Sequence, residues 1–511
     1  MIMSPIREKD IQIKVYFDQI GNTVDRNIYG QFIEHLWTGI YDGIWVGPDS
    51  SIPNEDGIRL DTVEALTAIM PPIVRWPGGA YADMFDWRDS IGPRHLRPVR
   101  INPNQPKREE TNQFGLSEFM RFCHMIGASP YLCVNTAFLR PNEVRDWVEY
   151  CNLNGNTYWA RLRRQHGQEH PYKVHYWGIG NESYWLHSAY EYLQRYRLWK
   201  MFMKDTDPTI EIISSGLEPN WHPDPWGRDD WGTYFIKEIR GDMDQYSIHL
   251  YFTAGDGTNF SDVEYYHLFV ELFHRLPRSI QAALGLLDAH STSPKKVKLA
   301  IDEWGIWHPG HSMSGNMTQP CTLRDALFVA AFFHICHQYP TRIGIATIAQ
   351  SINVCSSLIL TNREKFCLTP TYYVFDMFKE HQGAQILNVV TTNVSTITSD
   401  QAGIPEDGEA MPPMLSISAT LNKDRKKATI SFINFHLVNS ISAKLDLKGA
   451  RPMKGISKIL TASTVKDQNT FDTPNHVKII AKPINITSTS IECKFPPHSI
   501  TVMTLLLQKV R

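Results

Sequence analysis

The sequence lacks the features that mark several classes of protein. Its 511 residues carry a formal net charge of -2 and no long run of like charge, so neither nucleic acid nor an anionic membrane surface is indicated as a partner. No segment approaches the roughly 18 uninterrupted apolar residues of a membrane helix. Residues 1–14 carry charges throughout and contain no apolar stretch of the kind found in signal peptides. We therefore expect a protein that neither crosses nor binds a membrane.

Cysteine motifs for metal binding or redox chemistry are also missing. The eight cysteines are scattered along the chain without Cys-x-x-Cys spacing, and most lie in apolar segments. This distribution is typical of reduced, buried thiols and not of a disulfide scaffold. Together with the missing signal peptide, it predicts a cytoplasmic location.

What is present is a pair of apolar segments that each end abruptly in a glutamate. Residues 175–185 read His-Tyr-Trp-Gly-Ile-Gly-Asn-Glu-Ser-Tyr-Trp and bring Asn181 and Glu182 to the end of a short strand. Residues 296–307 read Lys-Val-Lys-Leu-Ala-Ile-Asp-Glu-Trp-Gly-Ile-Trp and bring Glu303 to a similar end. A carboxyl group among aromatic rings is poorly solvated, which predicts a raised pKa for Glu182, as a general acid requires. Two such glutamates form the acid and nucleophile of glycoside hydrolysis.

A structural explanation competes with this one. Asn181-Glu182 and Asp302-Glu303 are also residue types that cap helix N-termini, where carboxylates are favoured. The sequence separation does not say whether Glu182 and Glu303 meet in space. A barrel would bring both strand ends to one mouth.

Strand-sized and helix-sized segments alternate along most of the chain. Eight strands separated by helix-sized segments predict a parallel (β/α)8 TIM barrel, although an open doubly wound sheet shows the same alternation. The predicted strands span residues 27–37, 73–76, 130–134, 175–182, 210–215, 245–252, 296–304 and 345–350. The predicted helices span residues 62–70, 116–126, 143–151, 190–203, 231–239, 264–284 and 323–336.

Polar residues fall at or near the carboxyl ends of six predicted strands. In barrels this end carries the active site, because the loops that follow the strands converge there. The coincidence predicts one shared site, whereas singly His249 and Gln350 are more simply explained as structural hydrogen-bonding residues. The six residues are Glu34, Asn135, Glu182, His249, Glu303 and Gln350.

The sequence pattern changes after about residue 385. Period-two alternation between polar turns there predicts an additional C-terminal antiparallel β-sandwich, jelly-roll-like in type. Residues 11–15 alternate likewise and are a candidate for a further strand. The predicted domains are a catalytic barrel over residues 20–385 and a sandwich made of residues 1–19 and 386–511. The predicted sandwich strands span residues 415–421, 428–435, 441–447, 477–483 and 500–507.

Several separated blocks of sequence resemble one enzyme family. Trp177-Gly178-Ile179-Gly180-Asn181-Glu182 and Ile301-Asp302-Glu303-Trp304-Gly305 are similar to motifs of the glycoside hydrolase family 51 α-L-arabinofuranosidases. Residues 75–79 (Arg-Trp-Pro-Gly-Gly) and 348–350 (Ile-Ala-Gln) resemble further blocks, in the expected order. The likeness covers roughly residues 25–382, whereas the sandwich matches only in type.

The resemblance implies a retaining, double-displacement glycosidase that needs no metal or organic cofactor. By this analogy Glu182 is the acid/base and Glu303 the nucleophile. Arabinose-containing oligosaccharides are the implied partners, and a homo-oligomer is implied because relatives often form hexamers. The positions that match sugar-binding residues of the family are Glu34, Asn181, His249, Tyr251 and Gln350.

Two departures from the family pattern concern the substrate. Ala80 stands where many members have Asn or Cys, so we expect one sugar contact to be missing. Residues 183–191 form a short segment without the Cys-Gly-Gly stretch of many relatives, which predicts a more open leaving-group side. Both differences bear on substrate detail more than on reaction type.

The sequence leaves three functions to compare. The first is an exo-α-L-arabinofuranosidase that trims arabinose from arabinan or arabinoxylan fragments. The second is a related retaining glycosidase with altered specificity, a β-1,4-endoglucanase or a β-xylosidase, that uses the same glutamates. The third is a sugar-binding protein without turnover, against which the presence of both Glu182 and Glu303 argues.

Overall fold

The chain folds into a closed parallel barrel and a large mixed sheet. The computed structural model describes residues 11–105, 107–219, 230–312, 317–406, 408–486 and 488–508. Residues 1–10 and 509–511 of the predicted sandwich domain lie outside this range, and the predicted domain boundaries stay a prediction. In the segments that the structure describes, no helix combines the length and apolarity that crossing a membrane requires.

Eight strands close the barrel, and every neighbouring pair runs parallel. The eighth strand pairs with the first, with Thr347 opposite Gly30, which excludes an open sheet and confirms the predicted TIM barrel. Each predicted strand overlaps an observed one, although the first is much shorter than expected because residues 26–29 form a 3-10 turn. In chain order, the strands are Gly30–Phe32, Ile73–Trp76, Ser129–Val134, Tyr176–Ile179, Glu211–Ser214, Gln245–Phe252, Lys298–Ile306 and Ile343–Ile348.

Helices follow the barrel strands along the chain. The predicted helices at residues 116–126, 231–239 and 323–336 have the observed bounds, and the other four overlap observed helices. The α-helices within the described residues are α1 (Leu60–Ile69), α2 (Leu116–Ile126), α3 (Pro141–Asn152), α4 (Tyr158–Gln165), α5 (Ala189–Thr206), α6 (Trp231–Ile239), α7 (Asp262–His290), α8 (Pro309–Ser312), α9 (Leu323–Cys336), α10 (Pro370–Phe378) and α11 (Ser399–Ala402).

Helix α9 lies between the barrel and the sheet. All 14 of its residues are buried, as expected for a helix that is covered on every side. Toward the barrel, Phe332 stacks on Trp304 with ring centroids 3.6 Å apart. Toward the sheet, the two ring nitrogens of His334 lie 2.9 Å from Ser416 Oγ and 2.8 Å from Ser431 Oγ. The helix therefore joins the two layers through both apolar and polar contacts.

Two more histidines extend this polar contact between the layers. His337 Nδ1 lies 2.7 Å from Ser418 Oγ, and His381 Nδ1 lies 2.8 Å from Thr420 Oγ1. Burial lowers the pKa of His337 to about 3 and lowers the pKa values of His334 and His381 well below the ordinary value. The interface histidines, defined here as His334, His337 and His381, are therefore neutral in the folded protein.

Nine further strands form one sheet, in which the N-terminal strand Ile11–Thr23 takes part, and six short strands pair as three separate two-stranded sheets. Ile11–Thr23 runs parallel to Ile441–Lys448 and antiparallel to Gln385–Thr392, and the other neighbours are antiparallel, so the sheet is mixed. In spatial order, the strands are Ile480–Pro483, Pro452–Leu460, Ser499–Leu507, Lys427–Asn434, Leu415–Leu421, Gln385–Thr392, Ile11–Thr23, Ile441–Lys448 and Ser490–Phe495.

This sheet is curled, so that strands distant in its order face each other across a core. Phe432 and Phe495 lie on strands five positions apart in the sheet, which would separate them by about 24 Å if the sheet were flat. Their ring centroids are 4.5 Å apart. The sheet therefore folds back on itself and packs face to face, as in the predicted sandwich.

Candidate active site

Glu182 and Glu303 meet at the carboxyl ends of the fourth and seventh barrel strands. Glu182 precedes the 3-10 turn Ser183–Trp185 without capping it, and Glu303 lies inside a strand, so the helix-cap explanation fails. His249, from the sixth strand, lies against both: its Nδ1 is 2.9 Å from Glu182 Oε1 and 3.5 Å from Glu303 Oε2. One oxygen of each carboxylate and one His249 nitrogen lie within 4.8 Å of one another.

A buried arginine that sequence reasoning did not select completes this arrangement. Arg75 is 1% exposed, and its Nη1 donates to Glu303 Oε1 at 2.8 Å. Its Nη2 donates to Asn181 Oδ1 at 2.6 Å, and its Nε lies 3.5 Å from Asp302 Oδ2. The sequence does contain a signal for Arg75, because it lies within the apolar strand Ile-Val-Arg-Trp. A buried cation requires an anionic partner, so an arginine there indicates a carboxylate nearby.

Asp302 is the second residue that the sequence reasoning left without a role. Its carboxylate accepts hydrogen bonds from the hydroxyls of Tyr131 and Ser247. Burial alone would raise the pKa of Asp302, but the charge of Arg75 and the interaction with His249 hold it well below its usual range. Asp302 is therefore an ionised partner for both cations of the site.

Glu182 accepts hydrogen bonds from three side chains. His249 Nδ1 lies 2.9 Å from Oε1, Trp185 Nε1 donates to Oε2 at 3.1 Å, and the Tyr184 hydroxyl also donates. Burial raises the pKa of Glu182, but the hydrogen bond and charge of His249 and the other two donors together lower it below the ordinary value. The expected raised pKa was therefore wrong, because the aromatic neighbours present polar N–H and O–H groups as well as apolar rings.

His249 carries the proton that Glu182 lacks in the free site. Burial would lower the pKa of His249, but the charge of Glu303 and the interactions with Asp302 and Glu182 raise it to about 10. Its Nε2 lies 3.5 Å from Asp302 Oδ1. At neutral pH the site therefore pairs a cationic imidazole with ionised Glu182.

Glu34 forms the opposite wall of the site. Its carboxylate accepts hydrogen bonds from the backbone N–H of Tyr81 at 3.1 Å, from Asn104 Nδ2 at 3.0 Å and from Gln350 Nε2 at 2.8 Å. Burial and the charge of Glu303 raise the pKa of Glu34 to about 7, although the hydrogen bonds and Arg75 oppose this. Asn104 is a further contact that strand-end patterns could not reveal, because it comes from the long loop after the second strand.

A cavity of about 640 Å³ opens between these groups. Tyr251 lines it and donates its hydroxyl to Glu303 Oε2 at 2.8 Å, and Trp307 packs edge-on against the Tyr251 ring. The predicted residues are thus brought together: all line the cavity except His249, which contacts both glutamates, and Asn135. The lining consists of Phe32, Glu34, Leu36, Gly79, Ala80, Asn104, Asn181, Glu182, Tyr251, Glu303, Trp307, Met317, Gln350 and Cys355.

Asn135 is the strand-end residue that the structure does not bring into the cavity. Its Oδ1 accepts from the backbone N–H groups of Ala137 and Phe138, and its Nδ2 donates to the Phe85 carbonyl. Asn135 therefore shapes the loop after the third strand.

The turn at Pro77-Gly78-Gly79 passes directly beside the two carboxylates. A Cβ at Gly78, where φ is +149°, would lie 2.2 Å from Glu34 Cγ. A Cβ at Gly79 would lie 2.7 Å from Glu303 Oε1. Glycine at these two positions leaves the space that the side chains of Glu34 and Glu303 occupy. The next residue, Ala80, contributes only a methyl group to the cavity.

Glu182, His249 and Glu303 also form the group of possible metal ligands found among the described residues. Positive charge is already supplied there by Arg75 and by the protonated His249. A cation would have to displace the His249 proton and face the guanidinium of Arg75. The donor set therefore suits proton transfer better than metal binding.

Two family models match separate parts of the chain. The α-L-arabinofuranosidase C-terminal domain matches residues 302–499, and the α-L-arabinofuranosidase 1 domain matches residues 65–266. The chain is also similar to the intracellular exo-α-L-arabinofuranosidase of Bacteroides ovatus. The two are 33% identical over 513 residues, which cover 98% of this chain and 96% of the relative.

Solved structures show the same similarity in three dimensions. The GH51 arabinofuranosidase from Xanthomonas axonopodis pv. citri is 31% identical with a TM-score of 0.88, over 97% of this chain and 99% of that one. The α-L-arabinofuranosidase from Thermotoga maritima, solved as an arabinose complex, is 32% identical with a TM-score of 0.86, over 97% of this chain and 100% of that one.

Proposed function

The chain belongs to the α-L-arabinofuranosidases of glycoside hydrolase family 51, and from this premise we propose a retaining, exo-acting enzyme that releases terminal arabinofuranose by double displacement. The proposed substrates are oligosaccharides derived from arabinan and arabinoxylan. Glu182 is the proposed acid/base and Glu303 the proposed nucleophile.

The spacing of the two carboxylates is the observation that supports this proposal. Oxygens of Glu182 and Glu303 come within 4.8 Å of each other. Retaining glycosidases have carboxyl groups about 5 to 5.5 Å apart, whereas inverting enzymes need about 6.5 to 9.5 Å to admit a water molecule. The gap therefore fits a single sugar carbon, with Glu303 as the group that attacks it.

In the first step, Glu303 attacks the anomeric carbon and forms an ester as the bond to the leaving oxygen breaks. Glu182 delivers a proton to that oxygen. Glu182 receives this proton from His249, whose Nδ1 lies 2.9 Å from Glu182 Oε1. Arg75 and Tyr251 donate to the two oxygens of Glu303 and hold the carboxylate in position before the attack.

In the second step, water attacks the ester carbon of the sugar and Glu303 leaves as a carboxylate. Glu182, now ionised, takes a proton from the water, and the proton can return to His249. Two inversions at the same carbon leave the released arabinose in its original configuration.

The proposed sugar-binding residues surround the same cavity. Because Asn181 Oδ1 accepts from Arg75, its N–H₂ group remains to donate to the sugar's 2-hydroxyl, where hydrogen bonds strengthen in the transition state. Glu34 and Gln350, joined at 2.8 Å, offer an acceptor and an amide to the other hydroxyls. His249 and Tyr251 act mainly through the two glutamates.

The names of the relatives bear on the alternative specificities. The relatives that match almost the whole chain are named α-L-arabinofuranosidases, which supports arabinofuranose over the β-1,4-linked glucose or xylose of the second hypothesis. A binding protein without turnover is disfavoured by the complete pair of carboxylates.

Location and assembly are also proposals. The Bacteroides ovatus relative is named intracellular, which supports the predicted cytoplasmic location and hence short oligosaccharide substrates. A homo-oligomer, hexameric by family analogy, is proposed and is tested by light scattering during size-exclusion chromatography.

Methanolysis tests the proposed reaction. The protein is incubated with α-linked arabino-oligosaccharides in dilute methanol, and the methyl glycoside is identified by NMR. We expect methyl α-L-arabinofuranoside from the start of the reaction. The β-anomer would exclude retention, and xylose or glucose products from matched oligosaccharides would exclude the proposed specificity.

A further inference from the structure

Trp185 lies at the rim of the cavity, beside the proposed acid/base. It is 67% exposed, although tryptophan is usually a largely buried residue. Its Nε1 donates to Glu182 Oε2 at 3.1 Å, yet Trp185 is not part of the cavity lining. The indole therefore touches Glu182 from outside the sugar pocket.

The exposure of Trp185 does not come from a loose loop. The backbone N–H of Ser183 donates to Ser215 Oγ at 3.1 Å. His187 Nε2 lies 3.0 Å from the Thr136 carbonyl, and Trp231 Nε1 donates to the His187 carbonyl at 3.0 Å. The segment is thus anchored to neighbouring barrel loops, and within the turn Ser183–Trp185 the exposed side chain is that of Trp185.

The position of Trp185 places it on the leaving-group side. A general acid must come within about 3 Å of the oxygen that it protonates. Since the indole nitrogen is 3.1 Å from the same carboxylate, any sugar that carries the leaving oxygen must lie next to the indole ring. Aromatic faces are large apolar surfaces on which the C–H faces of sugar rings stack.

Building on the proposed function, we propose that Trp185 is the leaving-group platform of this enzyme. Its face receives the sugar to which arabinofuranose is attached, and its N–H holds the Glu182 carboxylate in position. The substrate class that fits is a saccharide with at least one sugar ring beyond the arabinofuranose, and not only a small alkyl glycoside.

The two roles are separable by substitution. Trp185→Phe keeps an aromatic face but removes the N–H, whereas Trp185→Ala removes both. Tyr158→Ala is the matched control, because Tyr158 is a 62% exposed aromatic residue at the start of α4, outside the site. Each variant is assayed for kcat/KM on an arabinofuranose disaccharide and on methyl α-L-arabinofuranoside, whose leaving group has no ring to stack.

The contribution of the platform is measured by the ratio of kcat/KM on the disaccharide to kcat/KM on methyl α-L-arabinofuranoside. We expect this ratio to fall about fivefold to tenfold in Trp185→Ala and to stay within about twofold of wild type in Trp185→Phe and Tyr158→Ala. In both Trp185 variants the basic limb of the pH profile should move to higher pH, because loss of an N–H donor to the Glu182 carboxylate makes the Glu182–His249 pair hold its proton more tightly.

Each outcome decides between the proposals. A wild-type protein that hydrolyses neither substrate would contradict the proposed function itself. If the wild type is active but Trp185→Ala has an unchanged ratio, because it loses no activity or loses it equally on both substrates, the platform role is overturned. An unmoved pH profile in Trp185→Phe would overturn the role of the N–H.

Discussion

Nη1 of Arg75 lies 2.8 Å from Oε1 of Glu303 in the buried centre of the barrel mouth. The same guanidinium reaches Asn181 and Asp302, so one cation orients the proposed nucleophile, a proposed sugar-binding amide and a buried carboxylate. Lysine has a single point of charge and cannot make these contacts in one plane.

Replacement of Arg75 by lysine should therefore lower kcat strongly while the fold persists. We expect a loss of about 10²-fold in kcat, the size seen when one preorganised donor is removed from an active site. Steady-state kinetics and circular dichroism measure the two effects. Arg342→Lys is the control, because Arg342 pairs with Asp288 near the surface and should keep full activity. A near-normal rate in Arg75→Lys would show that the fork geometry is not needed.

The two glutamates should respond differently to alanine substitution and azide. Loss of the acid/base in Glu182→Ala should cost about 10²- to 10⁴-fold with methyl glycosides and much less with aryl glycosides, whose leaving group needs no proton. Azide should restore turnover and give the α-configured glycosyl azide.

Glu303→Ala should lose at least about 10⁴-fold on every substrate, and any azide product should have the β-configuration. NMR of the azide products distinguishes the two positions. The same anomer from both variants would contradict the assignment of acid/base and nucleophile.

Gly79→Ala should separate catalysis from stability. The new Cβ would meet Glu303 Oε1 at 2.7 Å, so the end of this side chain has to move while the backbone can stay in place. We expect a thermal midpoint close to wild type and a loss of at least about tenfold in kcat, because small displacements of reacting groups are costly. Gly285→Ala, in α7 with open space around it, should instead stabilise the protein by about 0.5 to 1 kcal/mol and leave activity unchanged. Full activity in Gly79→Ala would mean that Glu303 tolerates displacement.

The interface histidines should make the protein sensitive to acid. They remain neutral in the folded state, whereas in the unfolded chain they take up protons below about pH 6.5. The free energy of unfolding should therefore fall as the pH decreases from about 6.5, by up to about 1.4 kcal/mol per pH unit for each histidine.

His337→Gln tests this, because glutamine keeps hydrogen-bonding groups but does not titrate. Between pH 6 and 4, above its folded pKa of about 3, we expect the slope of stability against pH to decrease by about 1.4 kcal/mol per pH unit. Urea unfolding at several pH values measures it, with exposed His95→Gln as a control that should leave the slope unchanged. An unaltered slope in His337→Gln would show that His337 does not account for acid sensitivity.

The barrel was predictable because its strands are buried on both sides. Segments such as Gln245–Phe252 are almost continuously buried, and buried parallel strands have a strong apolar signature. Several sheet strands gave no such signal: Gln385–Thr392 and Pro452–Leu460 are largely exposed or half-buried, so their alternation is weak. They are held in place by pairing with distant strands, which local sequence does not encode.

The site was predictable at strand ends and not elsewhere. Glu182, His249, Glu303 and Gln350 follow apolar runs, which gave each a position relative to the barrel mouth. Arg75 lies within a strand, Asp302 directly precedes Glu303 in the same strand, and Asn104 comes from a long loop, so the pattern of polar residues after apolar runs did not select them. The predicted direction of the Glu182 pKa shift was wrong, because the shift depends on which polar atoms of Tyr184 and Trp185 face the carboxylate.

The strand Ile11–Thr23 lies between Gln385–Thr392 and Ile441–Lys448, so the whole barrel is inserted within the sheet. On the ribosome, this strand emerges before the barrel and must wait until the barrel has been synthesised before either neighbour exists. The sheet is therefore completed last. Removal of Ile11–Thr23 would leave Gln385–Thr392 and Ile441–Lys448 each with an unpaired edge.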